Sequence, residues 1–336
     1  MSPYSDNAPA PQGLALDGRH IFVTGGTGFV GRTLLDLLNA IHETTGQRFT
    51  VSVLSRDPDK FLRLYPEYAA YPWLSMVKGD VDALPASPRA VTDVIHAAAD
   101  THLQGQGAQW IDQIVTGTRK VLDFAVQHGA RRFLLTSSGA VYGAQPADLE
   151  QLDEDYAGAP PTDAIGSLYG QAKRVAEQLC TVYHQEHGLA TVSARCFAFA
   201  GRHLALDGPY AFGNFIRDAL YGDAINVKGN GTAIRSYLDG EDMAYWLLFL
   251  LFKGEPGGVY NVGSDQPVTI RELAERIAEL VAPGKPVVIE NSAIPTGARS
   301  RYIPGIGKAA ALGLRSRFTL DEIIRRTAGE LARVQR

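Results

Sequence analysis

Cysteine is scarce in this sequence, with two residues, Cys180 and Cys196, among 336. Neither has a partner at CxxC spacing, so no zinc site or disulfide framework is encoded. Both are expected as buried free thiols of a reducing compartment, and no metal site is expected. Long apolar runs are also missing. The longest, Met243–Phe252, is about half the length that spans a bilayer and is expected as a buried helix. Basic excess is absent, with 32 Lys and Arg against 36 Asp and Glu and a net charge of -4. That balance argues against nucleic acid or a membrane surface as partner. The opening residues 1–17, MSPYSDNAPAPQGLALD, have no apolar segment of a secretory signal. They are expected as a mobile tail, and the protein is expected to be cytoplasmic.

The first two-thirds of the chain alternates short β-branched runs with helical patterns. Strands are expected at Ile21–Thr24, Thr50–Leu54, Val94–Ala97, Arg132–Ser137 and Thr191–Phe197. Helices are expected at Gly31–His42, roughly Trp110–His128, and Leu168–His187. Such alternation implies an α/β fold, a Rossmann-like doubly wound parallel sheet with helices on both faces. Beyond Gly201 the pattern breaks into Gly-, Pro- and aromatic-rich segments. Helices are expected there near Phe212–Tyr221 and at Thr269–Val281, with a strand at Val287–Ile289. These are read as a smaller α/β lobe: residues 18–201 with 234–263 form the dinucleotide domain, and 202–233 with 264–336 the substrate lobe.

Between the first strand and first helix stands Thr24-Gly25-Gly26-Thr27-Gly28-Phe29-Val30-Gly31. Gly25, Gly28 and Gly31 have GxxGxxG spacing, for a tight turn, backbone approach to a pyrophosphate, and close helix–strand packing. Backbone from Thr27 to Val30 would meet the anion at the helix N-terminus. The end of the second strand, Leu54-Ser55-Arg56-Asp57, bears on the choice of cofactor. Ser55 and Arg56 can donate to a 2′-phosphate, which favours NADP; Asp57 would favour NAD if the loop is shifted. Asp80 and Val81 are candidate adenine neighbours, and Ala97, Ala98 and Ala99 candidate walls of the dinucleotide site.

Tyr169 and Lys173 form a YxxxK pair on one helix face. A free tyrosine, with a pKa of about 10, is a poor base, but a neighbouring ammonium favours its phenolate. Tyr169 could then exchange a proton with a carbinol or carbonyl while hydride moves on a nicotinamide. Upstream, Thr136-Ser137-Ser138-Gly139-Ala140-Val141-Tyr142-Gly143 puts hydroxyls at the carboxyl end of a strand.

With TGGTGFVG (24–31), HAAADTH (96–102), SSGAVYG (137–143), YGQAKRVAE (169–177), RCFAFAG (195–201), GNGTAIRSYLDGEDMA (229–244) and YNVGS (260–264), the sequence resembles the extended short-chain dehydrogenase/reductases, the NAD-dependent epimerase/dehydratase family of nucleotide-sugar enzymes. The resemblance runs over roughly residues 19–314. It implies Ser138 as the catalytic hydroxyl, Tyr169 as acid/base and Lys173 as its partner and holder of the nicotinamide ribose. It implies Arg235 as a grip on the nucleotide diphosphate and Arg301 as a second nucleotide-side arginine, with Ser138, Gly139 and Tyr142 on the sugar side. Family members commonly dimerise through two helices, here around Gln109–His128 and Leu168–His187, so a homodimer is expected.

The departures narrow the chemistry. Dehydratases of the family carry an Asp-Glu pair directly after the catalytic hydroxyl; here Gly139 and Ala140 stand there and cannot move protons. Elimination of water and Glu-dependent decarboxylation are both disfavoured. An Asn usual in the RxxN segment is Ala198, and another before the VxGT motif is Ile114; Thr118 is read as structural. Two readings remain open: reduction of a nucleotide 4-keto-6-deoxy sugar, favoured by Ser55-Arg56, and 4-epimerisation with retained NAD. A 4,6-dehydratase and a non-catalytic dinucleotide-binding module are the weaker alternatives. His102 and His203 are candidate pocket residues, and Cys196 is read as core.

Overall fold

A computed structural model describes residues 13–85, 90–98, 107–290 and 300–334 of the chain. Seven strands form one parallel sheet: β1 (His20–Thr24), β2 (Thr50–Ser55), β3 (Leu74–Lys78), β4 (Asp93–His96), β5 (Arg132–Ser138), β6 (Ala190–Cys196) and β7 (Gly258–Val262). Their order across the sheet is β7-β6-β5-β4-β1-β2-β3. All five residues of β1 and all four of β4 are buried, as strands covered by helices on both faces must be. The sheet is the Rossmann-like α/β fold that the alternating pattern predicted. Its order reverses direction at β1, which pairs with both β2 and β4. That reversal opens a crevice at the strands' carboxyl ends where doubly wound sheets bind ligands.

Three helices matter most for the crevice. Helix α1 (Phe29–Thr45) follows β1 and ends on Gly46 in the left-handed conformation. Helix α2 (Gly117–Gln127) continues a helical run from Gly107, through a π-helical turn at Ile111–Thr116. Helix α3 (Leu168–His187) has the bounds that its pattern predicted. Apolar faces of α2 and α3 join one core with the sheet, including Val121, Leu122, Phe124, Ala172, Ala176, Phe133 and Leu135.

The sequence reading missed three elements of this region, the short helix Pro58–Leu64, the 3-10 helix Pro66–Ala70 and β3. Strand β3 is an edge strand with no fully buried residue, so its apolar pattern is weak. The tail expected over 1–17 is corrected at its end, since Leu14 and Leu16 are buried. Gln47 holds both, donating to the Leu14 carbonyl at 3.0 Å and accepting from the Leu16 amide at 2.6 Å. Residues 1–12 lie outside the described residues.

The chain divides into two compact units. One runs to Val141 and includes Pro161–Arg195 and Ala244–Tyr260; the other comprises Tyr142–Pro160, Cys196–Met243 and Asn261–Arg336. The division differs from the expected one at residues 142–160, 196–201, 234–243 and 261–263, which belong to the second unit. There Asn261, fully buried, donates to the carbonyls of Leu152 and Gly305. Its amide donates to Glu154. The Met243–Phe252 run lies within a helix, Gly240–Lys253. No helix of the described residues is long and apolar enough to cross a membrane. Cys180 is buried and its thiol is pushed up to about 12 by desolvation, which makes it unreactive. Cys196 is only partly buried, correcting its reading as core.

Candidate active site

The glycine turn after β1 is shaped by contacts that exclude side chains. Gly25 has φ +72°, and a Cβ on it would lie 2.5 Å from the Ala97 carbonyl carbon. A Cβ on Gly31 would lie 2.2 Å from the Gly26 Cα, so the helix can approach the turn only with glycine there. Gly28 occupies the N-cap of α1, and no side chain caps that terminus. Its first-turn N–H groups, with the positive end of the helix dipole, therefore form an anion site. Thr27, Phe29 and Val30 are partly exposed around it and Gly28 is exposed. This cradle, with its bare helix terminus, fits a dinucleotide pyrophosphate.

The wall opposite is the end of β4. The amides of Ala97 and Ala98 donate to the carbonyl and hydroxyl of Thr24, at 3.1 and 3.3 Å. Ala99 and His102 lie outside the described residues. Buried His96 joins the strands: one ring nitrogen lies 2.6 Å from Thr24 Oγ1 and the other 3.2 Å from Thr118 Oγ1. Thr118 thereby has a structural partner. Desolvation, and secondly the Lys173 charge, push the His96 pKa down to about 3.

At the end of β2, Ser55 is nearly buried and its carbonyl accepts from the Gly79 amide at 3.0 Å. The Arg56 side chain is 78% exposed, with Nε 4.0 Å from Asp80 Oδ2, a weak surface pairing. Asp57 caps the helix that starts at Pro58, accepting from the Lys60 amide at 2.9 Å. One oxygen of its carboxylate is thus engaged with the start of that helix. Val81 is partly exposed and lies beside Gly117.

Strand β5 and helix α3 bring Ser138, Tyr169 and Lys173 into one unit. Lys173 is buried, and its ammonium donates to the Thr136 carbonyl at 2.7 Å. Tyr169, one turn earlier, is partly exposed; the ammonium lies 6.0 Å from its ring centroid. Trp110 packs edge-on against that ring, centroid to centroid 5.0 Å. Ser138 Oγ accepts from the Ala140 amide at 3.1 Å. That bond leaves the hydroxyl proton free to be donated outward.

Gly139 and Ala140 are buried in the turn after β5. Tyr142 is corrected as a sugar contact. It is 1% exposed, and its hydroxyl donates to Asn261 Oδ1 at 2.8 Å, so no atom of it is open to a ligand. Arg235 and Arg301 lie on short neighbouring strands of the second unit, where Arg301 pairs with Ile234 and Tyr302 with Arg235. Side chains alternate along a strand, so the two arginines leave opposite faces and do not form a one-faced clamp. His203 is engaged with Arg202 Nε at 3.0 Å. Sequence reading missed Trp110, His96 and Glu177. His96 and Glu177 stood inside the quoted motifs, but only the fold gives them partners.

Among known families, the model of the NAD dependent epimerase/dehydratase family matches residues 21–263. This chain belongs to that family of enzymes. Among its curated relatives is UDP-glucuronic acid decarboxylase 6 of Arabidopsis thaliana, 31% identical over 90% of this chain and 85% of the relative. Similar solved structures include a UDP-glucose 4-epimerase of Thermotoga maritima with UDP-glucose, at TM-score 0.80, 20% identity and coverage of 94% and 100%. A dTDP-glucose 4,6-dehydratase of Streptomyces venezuelae, with NAD bound, is similar at TM-score 0.79, 24% identity and coverage of 94% and 97%.

His96 makes the acid stability of the fold testable. Its folded pKa is depressed, so as pH falls from 6.5 towards 3 the unfolded chain takes up a proton that the folded chain refuses, and stability is lost. Urea unfolding between pH 7 and 4 should show a smaller acid loss for His96→Asn than for the wild type. Equal losses would contradict a buried neutral imidazole.

Proposed function

We propose that this enzyme transfers hydride at C4 of a nucleotide-linked hexose without eliminating water or carbon dioxide, and that its reaction is reduction of a nucleotide 4-keto-6-deoxy sugar with NADPH. One observation carries the first part. The two positions after Ser138 are Gly139 and Ala140, which offer no carboxylate to move a proton at C5 or C6. Relatives with decarboxylase and dehydratase names therefore share the scaffold, while their proton-moving carboxylates are missing here. Exposed Arg56, with Asp57 engaged as a helix cap, supports NADPH over NADH.

When bound, the dinucleotide supplies hydride at its nicotinamide. The glycine turn and the α1 terminus would hold its pyrophosphate, and Lys173 its ribose. Ser138 would donate a hydrogen bond to the sugar carbonyl oxygen and orient it. Tyr169 would deliver the proton to that oxygen as hydride reaches the carbon, and the Lys173 ammonium would stabilise the phenolate left behind. Trp110 would exclude water from one side of the phenol. Arg235 and Arg301 are proposed as nucleotide-side contacts from separate directions.

The 4-epimerase reading is favoured by the NAD-bound and 4-epimerase structures among the similar folds. It needs the same three residues and returns hydride to the opposite sugar face. The stoichiometry separates the two. With a nucleotide 4-keto-6-deoxy sugar, absorbance at 340 nm should fall as NADPH is consumed, and Tyr169→Phe should lower kcat at least about 100-fold. Arg56→Ala should raise KM for NADPH more than for NADH. Interconversion of two sugars with no net cofactor use would overturn the reductase reading.

We further propose a homodimer formed through the helical run 107–127 and α3. Ile111, Val126 and Val175 on these helices keep 46%, 36% and 45% of their surface exposed. Light scattering should report a dimer for the wild type and a monomer for Val175→Glu; a wild-type monomer would refute the assembly.

A further inference from the structure

Helix α3 carries a third side chain on the face of Tyr169 and Lys173. Glu177 stands one turn after Lys173, and the residues that these two side chains meet are consecutive on β5. The Lys173 ammonium donates to the Thr136 carbonyl at 2.7 Å, and the Ser137 hydroxyl donates to Glu177 Oε1 at 2.5 Å. Ser138, the next residue, presents its hydroxyl from the same strand end. Helix and strand are therefore joined by two successive rungs directly behind the reacting groups.

The second rung is balanced in charge. Ser137 is 3% exposed and Glu177 9%, so an unpaired carboxylate there would be costly. Arg195, on β6, answers it with two nitrogens: Nε is 3.0 Å from Oε1 and Nη2 2.7 Å from Oε2. The carboxylate thus ties three elements together, namely α3, β5 and β6. The pair is neutral as a whole and leaves the Lys173 ammonium as the charge beside Tyr169.

We infer that Glu177, fixed by Arg195, is a positioning residue: through Ser137 it sets the placement of Ser138 relative to Tyr169. The inference rests on the hydride-transfer reading proposed above. It predicts that Ser137→Ala and Glu177→Gln each lower kcat about 10-fold while Kd for NADPH, titrated with the purified enzyme, stays within twofold. Because both act through one bond, the double variant should be no slower than Glu177→Gln alone. Ser137→Ala keeps the buried charge pair and judges the case if Glu177→Gln fails to fold.

A second readout is independent of the substrate. In the NADPH complex, amide hydrogen exchange of the peptide covering 132–143 should accelerate in both variants, while that of the helix at 270–281 is unchanged. A lower melting temperature with unchanged kcat and unchanged local exchange would overturn the inference and leave Glu177 a purely structural residue. If wild-type enzyme turns over no nucleotide sugar, the hydride-transfer reading fails, and exchange at 132–143 alone decides the role of Glu177: local acceleration upholds it and none refutes it.

Discussion

The site depends on one buried ammonium. Lys173 is 3% exposed and held by a strand carbonyl at 2.7 Å. Burying such a charge is expensive unless it is hydrogen-bonded and useful. Its field also reaches His96, whose ring stays neutral between two threonine hydroxyls. The Tyr169 ring lies 6.0 Å from that ammonium and 5.0 Å from the Trp110 ring, centroid to centroid. The Thr136 carbonyl that fixes the ammonium lies two residues before Ser138, so Lys173 and the Ser138 hydroxyl share one strand end.

The fold provides this anchor by its strand order. Because β1 pairs on both sides and the helices leave in opposite directions, the carboxyl ends of β1 and β4 open side by side. The glycine turn fills one wall and Ala97-Ala98 the other. His96 bridges them through Thr24, and β5 next door carries Thr136 to Ser138. On the proposed reading, the two residues after Ser138 decide which chemistry this scaffold supports: a carboxylate at 139 or 140 would add a proton route, and glycine and alanine would leave hydride exchange with a single acid/base.

Much of this was legible in the sequence, because local rules and the fold agree there. The glycine spacing requires a positive φ at Gly25 and bare backbone at Gly31, and both are observed. The α3 pattern carries its own bounds from Leu168 to His187. The features that were not legible depend on distant partners. Tyr142 reads as a pocket aromatic until Asn261, far along the chain, takes its hydroxyl. Arg235 and Arg301 each read as nucleotide-side contacts, and strand register sends them to opposite faces. Residues 142–160 lack any period and show their place through hydrogen bonds to distant partners, Asn261 and residues 301–305 among them. Strand β3 escaped because an edge strand of five half-exposed residues has no clear apolar face.

The most direct measurement is the mass of the product formed from a nucleotide 4-keto-6-deoxy sugar and NADPH deuterated at the transferable position. A product heavier than the substrate by one deuterium plus one proton, with all carbons and oxygens retained, is the predicted result. A product lighter by water or carbon dioxide, or one carrying no deuterium, would contradict hydride delivery at a site without carboxylates.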